Sequence, residues 1–282
     1  MGYSAGHVSK NSRATQRFVT VNLHSSKGGA GPPVILLHGL FGSGNNLGAL
    51  ARALHDSRSV FAVDLPNHGR SGWLEDATLV AMADCLRDWM LHQGIGSAQF
   101  VGHSLGGKVA MQLALSQPHL VSALVVADIA PVAYPAHHDE VFAALEAVAA
   151  AACDSRAAAA QLMALHLQED QVIQFLLTSL RRDTDGIYRW RFNLQGLKRG
   201  YAGVRAEPEM RAPYGEPVLF IKGGDSNYIQ EAHRSHILHL FPAATLKIMP
   251  GCGHWLHAQR PSLFNSLVRR FLLEHPSASV LG

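Results

Sequence analysis

Six short apolar runs recur along the chain and restrict its fold more than any other feature of the sequence. They occupy residues 34–37, 60–63, 99–101, 123–126, 218–221 and 245–249. Continuous runs of this length are typical of parallel strands that are buried on both faces. Helical periods separate them, such as the one over residues 79–90, which Thr78 can begin as an N-cap and Gly94 can end. The alternation predicts an α/β fold with a mostly parallel, doubly wound sheet.

One stretch interrupts this alternation. Residues 132–215 contain no convincing buried strand, but they include an Ala-rich helical segment at 142–164 and further helical periods near 172–180. We therefore expect a helical cap over 132–215, inserted into a core built from residues 17–131 and 216–275. A separate all-helical domain is the alternative, although the chain would then have to leave the sheet and rejoin it.

The start of the chain differs from the rest in being polar. Residues 18–23 alternate apolar and polar positions like an edge strand, residues 28–33 predict a turn, and residues 1–16 are expected to be disordered. The start has no apolar segment of the kind found in signal peptides, and no run in the sequence approaches the ~20 apolar residues of a membrane span. An organelle-import segment stays open, because the start lacks acidic residues and contains Lys10 and Arg13.

Composition narrows the class of partner. The chain has 282 residues, of which 48% are hydrophobic and 16% charged, so it can bury one large core. Its formal charge of +3 is too weak to favour nucleic acid or an anionic membrane, and we expect a small-molecule substrate. Cys85, Cys153 and Cys252 are far apart without a CxxC pair, which disfavours disulfides and structural zinc and favours the reducing cytoplasm. The sequence leaves the oligomeric state open.

The strongest local signal for chemistry is the sequence GHSLG at 102–106. It follows a predicted buried strand and precedes a helical pattern at 109–114. A GxSxG at such a strand-to-helix turn is a nucleophile elbow, in which the glycines allow a tight bend that holds the serine hydroxyl clear of the sheet. We therefore predict that Ser104 is a nucleophile.

A serine hydroxyl is a weak nucleophile at neutral pH and needs a general base. Among the 17 histidines, His254 lies in GCGHW directly after the last predicted strand, where a hydrolase of this topology places its base. His257 is expected to be a packed or hydrogen-bonding neighbour. His137 and His138 are expected to form a solvated helix start and not a metal site.

The oxyanion that forms during attack on a carbonyl needs two preorganised N–H donors. The first is expected to be the backbone N–H of Leu105, which follows the nucleophile. The second is expected from the loop HGLFG at 38–42, whose glycines let the backbone turn toward the nucleophile, and we assign it to Leu40. An ordinary turn at the end of a strand is the alternative interpretation of this loop.

Several motifs now resemble one family. In chain order they are HGLFG at 38–42, DLPNHGRS at 64–71, GHSLGG at 102–107 and GCGHW at 251–255. Together they resemble the α/β-hydrolase superfamily, and LFGSGNNLGALARAL, ADIAP, WRFNL and FIKGGDSNYI are similar to the YbfF-type bacterial esterases and their mitochondrial relatives. The resemblance covers roughly residues 18–273 and implies hydrolysis of short acyl esters or acyl-CoA thioesters without a cofactor. It also implies that Asp64 and His68 belong to a structural loop.

The acid that orients the base departs from the usual pattern. Most of the superfamily carries it after the penultimate strand in a G-x-x-D turn, where this chain has GGDS at 223–226. Ser226 then occupies the usual acid position and Asp225 lies one residue early. The YbfF-type relatives are similar in having serine there and in taking the acid from the preceding strand end, which implies Asp128 as the acid and Ser226 as a fourth, hydrogen-bonding member. Asp225 stays open as the alternative acid.

These residues predict a serine carboxylesterase that cleaves small acyl esters or thioesters through an acyl-enzyme on Ser104. Acyl-CoA thioesterase, lactonase, perhydrolase, carbon–carbon bond hydrolase and acyltransferase activities use much the same residues and stay open. A ligand-sensing binding protein is the alternative from another class. No cofactor or metal is expected. Among cap side chains, Phe175, Leu176, Trp190 and Phe192 are expected either to shape an acyl pocket or, more simply, to pack the cap.

Overall fold

The computed structural model describes residues 21–276, and the fold below refers to these residues. In chain order the strands are β1 (Ser25–Gly28), β2 (Pro33–Leu37), β3 (Ser59–Val63), β4 (Ala98–His103), β5 (Val121–Ala127), β6 (Leu180–Arg182), β7 (Tyr188–Trp190), β8 (Val218–Gly223) and β9 (Ala244–Met249). Seven of them form one sheet in the order β1-β3-β2-β4-β5-β8-β9, and β6 pairs with β7 in a separate hairpin. Within the large sheet β1 is antiparallel, and every other pairing is parallel.

The six predicted apolar runs coincide with β2, β3, β4, β5, β8 and β9, which confirms the mostly parallel sheet. Five of these strands are buried almost throughout, whereas β9 is mostly exposed because it lies at the edge of the sheet. The register pairs His103 with Ala127, so β4 and β5 end side by side. The residues that follow these strands therefore meet at one edge of the sheet, which is where ligands bind in open α/β sheets.

Helices cover both faces of the sheet. They are α1 (Gly48–Leu54), α2 (Leu79–His92), α3 (Leu105–Ser116), α4 (Asp139–Ala151), α5 (Arg156–Met163), α6 (Asp170–Leu177), α7 (Leu194–Arg199), α8 (Tyr201–Val204), α9 (Arg234–Leu240), α10 (Leu256–Gln259) and α11 (Pro261–Glu274). One apolar cluster packs α2 and α3 against one face, with Leu86 and Val109 fully buried. A second cluster packs α1 and α11 against the other face through Leu50 and Phe264. The predicted N-cap of α2 is present, since Thr78 Oγ1 accepts a hydrogen bond from the Ala81 N–H at 3.2 Å.

The stretch between β5 and β8 contains α4 to α8 and also the β6–β7 hairpin, so it is not purely helical. The Ala-rich segment divides at Ala152, whose φ of 47° ends α4, and Ser155 caps α5. The hairpin has no apolar run, because most of its side chains are exposed and the ion pairs of Arg189 with Asp183 and Asp185 lie near its turn. We call this stretch the cap, with the boundaries 132–215 still a prediction.

The beginning of the described chain differs from the expected edge strand. Residues 21–24 are not part of a strand, and the strand begins later, where Ser25 pairs with Val63. The alternation predicted the burial correctly, because Val21 and Leu23 pack into the core. The expectations for residues 1–16, and the first part of the strand predicted at 18–23, lie outside the described residues. No helix in the described part of the chain is long and apolar enough to span a membrane.

Candidate active site

Ser104 lies in a strained turn between β4 and α3. Its φ of 53° and ψ of −118° are rare for a residue with a side chain, and its N–H donates to Ala127 O at 3.0 Å. A Cβ on Gly102 would lie 2.4 Å from the carbonyl oxygen of Gly106, and one on Gly106 would lie 2.3 Å from that of Leu37. Both glycines are therefore required sterically, and the turn holds the Ser104 side chain at the edge of the sheet.

Asp128 occupies the matching position after β5. It is fully buried with a φ of 52°, and its N–H donates to Ile221 O at 2.8 Å. Its Oδ1 accepts from the Gly223 N–H at 2.9 Å, and its Oδ2 accepts from the Ser226 hydroxyl at 2.5 Å. The same Oδ2 lies 2.8 Å from Nδ1 of His254. A carboxylate with donors on both oxygens is fixed in one orientation toward the imidazole.

Asp225, the alternative acid, points elsewhere. It is exposed, and its backbone N–H donates to Cys252 O at 2.9 Å, which holds the turn without using the carboxylate. The structure thus places Asp128, and not Asp225, on the His254 ring. Ser226 lies where the fourth member was expected.

The loop after β9 carries His254, and a hydrogen bond from His103 holds its main chain. His103 Nε2 lies 2.8 Å from the main-chain oxygen of His254 and donates to it. Burial holds the pKa of His103 well below its usual range, so this ring stays neutral. His257 packs on His103 with ring centroids 4.4 Å apart, as expected of a packed neighbour. Ser104 and His254 line the same cavity, and no hydrogen bond joins their side chains in the described residues. Such bonds often tighten only when substrate binds.

The loop after β2 lies directly against the elbow. A Cβ on Gly39 would lie 3.3 Å from that of Ser104. The Phe41 N–H donates to Nε2 of His68 at 3.1 Å, and the Gly42 N–H donates to Gly39 O at 3.0 Å. Among residues 40–42 only the Leu40 N–H is left without an acceptor in the described chain, which suits a donor reserved for a ligand.

A family comparison bears on this geometry. The sequence pattern of the alpha/beta hydrolase fold family matches residues 32–261. This chain belongs to the α/β-hydrolase family.

Individual α/β-hydrolases resemble it over most of their length. Esterase YbfF of Escherichia coli (strain K12) is 42% identical over 241 residues, which cover 85% of this chain and 92% of that protein. The sn-1-specific diacylglycerol lipase ABHD11 of Mus musculus is 39% identical over 249 residues, covering 86% of this chain and 81% of that protein. Among solved structures, a marine microorganism esterase has a TM-score of 0.86 at 35% identity, covering 89% of this chain and all of that one. The resemblance predicted from the motifs is confirmed.

The cavity of this α/β-hydrolase has a volume of about 760 Å³ and is formed jointly by the core and the cap. The core contributes Ser104, Leu105 and His254. The cap contributes apolar side chains, among them Val141, Val172, Phe175 and Leu176, and also polar ones such as His138 and Arg205. A volume of this size accommodates a small organic ligand.

The structure separates the four cap residues named above. Phe175 and Leu176 line the cavity. Trp190 and Phe192 stack on each other with centroids 5.3 Å apart inside the cap, where the Trp190 Nε1–H donates to Leu145 O at 2.9 Å. The first pair is therefore available to a substrate, and the second pair packs the cap.

The structure also places two histidines and one cysteine that the sequence analysis named. His137 and His138 both line the cavity, where His137 Nε2 lies 3.0 Å from the Tyr228 hydroxyl and His138 Nδ1 hydrogen-bonds the Tyr201 hydroxyl. They are not simply a solvated helix start. Cys252 is fully buried, so its thiol is not accessible to reagents in the folded state, and all three cysteines are unpaired.

Two residues of the site escaped sequence reasoning. Tyr228 stacks on His254, and Lys108 donates from Nζ to the carbonyl oxygens of Val132, Arg205 and Ala206 at 2.7, 2.9 and 2.5 Å. The sequence did contain a signal for Lys108, because it is the single charged residue of α3, the helix that follows the nucleophile. Tyr228 had no comparable signal.

Proposed function

We propose that this carboxylic ester hydrolase cleaves small acyl esters through an acyl-enzyme on Ser104, with His254 as general base and Asp128 as orienting acid. The observation that carries the proposal is the 2.8 Å contact between His254 Nδ1 and Asp128 Oδ2, at the edge of the sheet where the elbow presents Ser104 to the same cavity. A buried carboxylate on Nδ1 fixes the tautomer in which Nε2 can accept a proton. Ser226 holds that carboxylate in place.

In the first half of the proposed cycle, Ser104 Oγ attacks the acyl carbon while His254 Nε2 takes its proton. The oxyanion then accepts hydrogen bonds from the N–H groups of Leu40 and Leu105, each worth about 3 kcal/mol in the transition state. When the carbonyl re-forms, the bond to the leaving oxygen breaks and His254 donates its proton to that oxygen. The alcohol leaves, and the acyl group stays on Ser104.

In the second half, His254 removes a proton from water and the resulting hydroxide attacks the acyl carbon. Collapse of the second tetrahedral intermediate releases the carboxylic acid and returns the proton to Ser104 Oγ. The cycle uses only side chains, backbone N–H groups and water.

The cavity supports an acyl group of small to moderate size. Its cap side includes the apolar side chains of Val172, Phe175 and Leu176 on α6, and its volume lies within the range of small-ligand pockets. The names of the relatives, an esterase and a diacylglycerol lipase, support an oxygen ester as substrate. Thioesters stay a second possibility, since the same attack releases a thiol. A cytoplasmic location stays a prediction, supported by three unpaired cysteines.

The proposal is tested by hydrolysis of p-nitrophenyl butyrate with the wild type, Ser104→Ala and Ser266→Ala. Ser266 is exposed on α11 and serves as the matched control. We expect Ser104→Ala to lose at least about 10⁴-fold in kcat and Ser266→Ala to match the wild type. Mass spectrometry after rapid quenching should show the butyryl adduct on the peptide that contains Ser104.

Two results would contradict the proposal. If Ser104→Ala retains wild-type turnover, another group is the nucleophile. If the wild type is no faster than Ser104→Ala across oxyesters and acyl-CoA thioesters, the chain binds ligands without turning them over. If the wild type is active, a direct comparison of p-nitrophenyl butyrate and butyryl-CoA decides between an esterase and a thioesterase.

A further inference from the structure

The His254 ring is held along its edge by Asp128, but its face is covered by a different residue. The Tyr228 ring stacks on the imidazole with centroids 4.1 Å apart and planes 29° apart. His103 lies farther away, with centroids 4.8 Å apart and a tilt of 42°. Tyr228 is therefore the closest aromatic partner of the proposed base.

Tyr228 is itself fixed from three directions. Its N–H donates to Ser226 Oγ at 3.3 Å, and its carbonyl oxygen accepts from the Tyr134 hydroxyl at 2.5 Å. Its hydroxyl lies 3.0 Å from His137 Nε2. In a neutral ring, His137 Nδ1 donates to Pro135 O at 2.9 Å, so Nε2 accepts and the tyrosine hydroxyl donates. Burial raises the pKa of Tyr228 to about 12, which keeps this hydroxyl protonated.

The same loop thus holds both neighbours of the imidazole. Ser226 donates to Asp128 and accepts from Tyr228, so the acid and the covering ring are joined through one hydroxyl. A rigid ring at 4.1 Å prevents His254 from rotating about its side-chain bonds without breaking these contacts. It also presents a negative π face to any positive charge that forms on the imidazole.

We propose that Tyr228 is a positioning residue for His254, whose ring face fixes the imidazole plane and stabilises the imidazolium that forms when Ser104 gives up its proton. The inference rests on the proposed function, because it concerns His254 as the base. A cation within about 6 Å of a tyrosine ring centroid is attracted by the ring quadrupole, and the attraction grows when the pair is desolvated. No covalent step involves Tyr228.

The histidines packed around His254 are neutral near pH 7, so they should not mask the effect of Tyr228 on the imidazolium. Burial lowers the pKa of His257 and of His138 to about 4 and that of His103 well below its usual range, so these rings are neutral near pH 7. The facing charge from β5 is the Asp128 carboxylate. The other charged or histidine side chains that line the cavity are Lys108, His137, Glu169, Arg205, Asp225 and His233.

The test compares Tyr228→Leu and Tyr228→Phe in p-nitrophenyl butyrate hydrolysis from about pH 5 to about pH 9. Leucine removes the ring face, whereas phenylalanine keeps it and removes only the hydroxyl. For Tyr228→Leu we expect kcat to fall about 10-fold with KM changed less than about 3-fold. The acid limb of kcat/KM should move to lower pH by about half a unit to one unit, because a less stabilised imidazolium forms only at lower pH.

Tyr228→Phe should stay within about 3-fold of the wild type, with its acid limb unmoved. The matched control is Tyr188→Leu, a tyrosine that packs in the cap away from the cavity. If Tyr228→Leu does not fold, Tyr228→Met provides a second side chain without a ring. The low-field proton resonance of the His254–Asp128 hydrogen bond should persist in each folded variant, which separates loss of the ring from loss of the acid.

The inference is overturned if Tyr228→Leu keeps both the wild-type kcat and the wild-type acid limb. It is also overturned if Tyr228→Phe falls as far as Tyr228→Leu, because the hydroxyl and not the ring would then matter. Either result, obtained while Ser104→Ala is inactive in the same assay, leaves the serine mechanism intact. Failure of the serine mechanism would instead show as an active Ser104→Ala.

Discussion

The core and the cap form opposite walls of one cavity, and they are built in different ways. On the core wall the polar groups of the site are held by backbone contacts, as Asp128 is by the N–H of Gly223 and Ser104 by the carbonyl of Ala127. On the cap wall the apolar side chains of α6, such as Phe175, make only apolar contacts and can shift without losing a side-chain hydrogen bond. The comparison suggests that the core fixes the reaction and the cap selects what reacts.

Polar contacts join the two parts at several places in the described chain. Ser179 Oγ donates to Phe41 O at 2.6 Å, and the Asn193 N–H donates to Asn67 O at 2.9 Å. Lys108, buried in α3, binds carbonyl oxygens at both ends of the cap, and burial lowers its pKa to about 7. If the walls have separate roles, substitutions on the core wall should change kcat, and substitutions on the cap wall should change KM.

The largest effect is expected on the core wall, at the acid. Asp128→Asn should lower kcat by about 10⁴-fold, because an amide on Nδ1 no longer fixes the required tautomer of His254. Asp225→Asn is the matched control in the same cavity and should stay within about 3-fold of the wild type, since its carboxylate does not touch the ring. Steady-state kinetics with p-nitrophenyl butyrate measures both. A large loss in Asp225→Asn together with a near-normal Asp128→Asn would reverse the assignment.

The core wall was also the part that the sequence predicted well. Buried parallel strands have short apolar runs, and their ends carry the residues of the elbow, so Ser104 and His254 could be named from local patterns. Asp128 could be named only through resemblance, because nothing local distinguishes it from Asp225. The structure adds the 2.8 Å contact between Asp128 and His254, which Asp225 does not make.

The cap could not be predicted to the same depth, and the reasons are physical. The β6–β7 hairpin is held by backbone pairing and exposed ion pairs, which leave no apolar period in the sequence. The stacking of Tyr228 on His254 joins loops after two different strands, and such a contact has no sequence spacing. Which of Phe175 and Trp190 faces the cavity depends on how α6 and the β6–β7 hairpin pack in the cap, which local sequence does not specify.

The second prediction concerns the stability of the core in acid. Burial lowers the pKa of His257 to about 4, from about 6.5 in an unfolded chain, and His38, His68 and His103 are buried in the core as well. Because the unfolded state binds the proton at higher pH, the stability contribution of His257 is complete above pH 6.5 and is lost as the pH falls toward 4. At about 1.4 kcal/mol per pKa unit this amounts to about 3 kcal/mol.

Urea unfolding at pH 7 and at about pH 4.5 measures this loss in the wild type and in His257→Leu. The variant should lose less stability in acid, and at pH 7 it should tolerate the change, because Nδ1 of His257 is buried without a hydrogen-bond partner. His119→Leu is the control, since His119 is exposed. Equal acid losses in wild type and His257→Leu would show that this ring is not a source of acid sensitivity.

The smallest effect is expected on the cap wall, and it decides whether the two roles are separate. Phe175 lies on α6, lines the cavity and contacts Trp255 with ring centroids 5.6 Å apart. Phe175→Ala should raise KM for p-nitrophenyl octanoate about 10-fold, because about 1.4 kcal/mol of apolar contact with the acyl chain is lost. Its kcat should stay within about 3-fold of the wild type, and the KM effect should be smaller for the acetate ester, whose short acyl chain offers less apolar surface.

Trp73→Ala provides the control for this last prediction, since Trp73 is 70% exposed and does not line the cavity. A fall in kcat for the acetate ester in Phe175→Ala would mean that the cap also fixes the catalytic loop, through Trp255 beside His254. The cap would then contribute to the chemistry as well as to substrate selection, through the contact between Phe175 and Trp255. A KM effect that grows with acyl length at constant kcat would place selection in the cap and chemistry in the core.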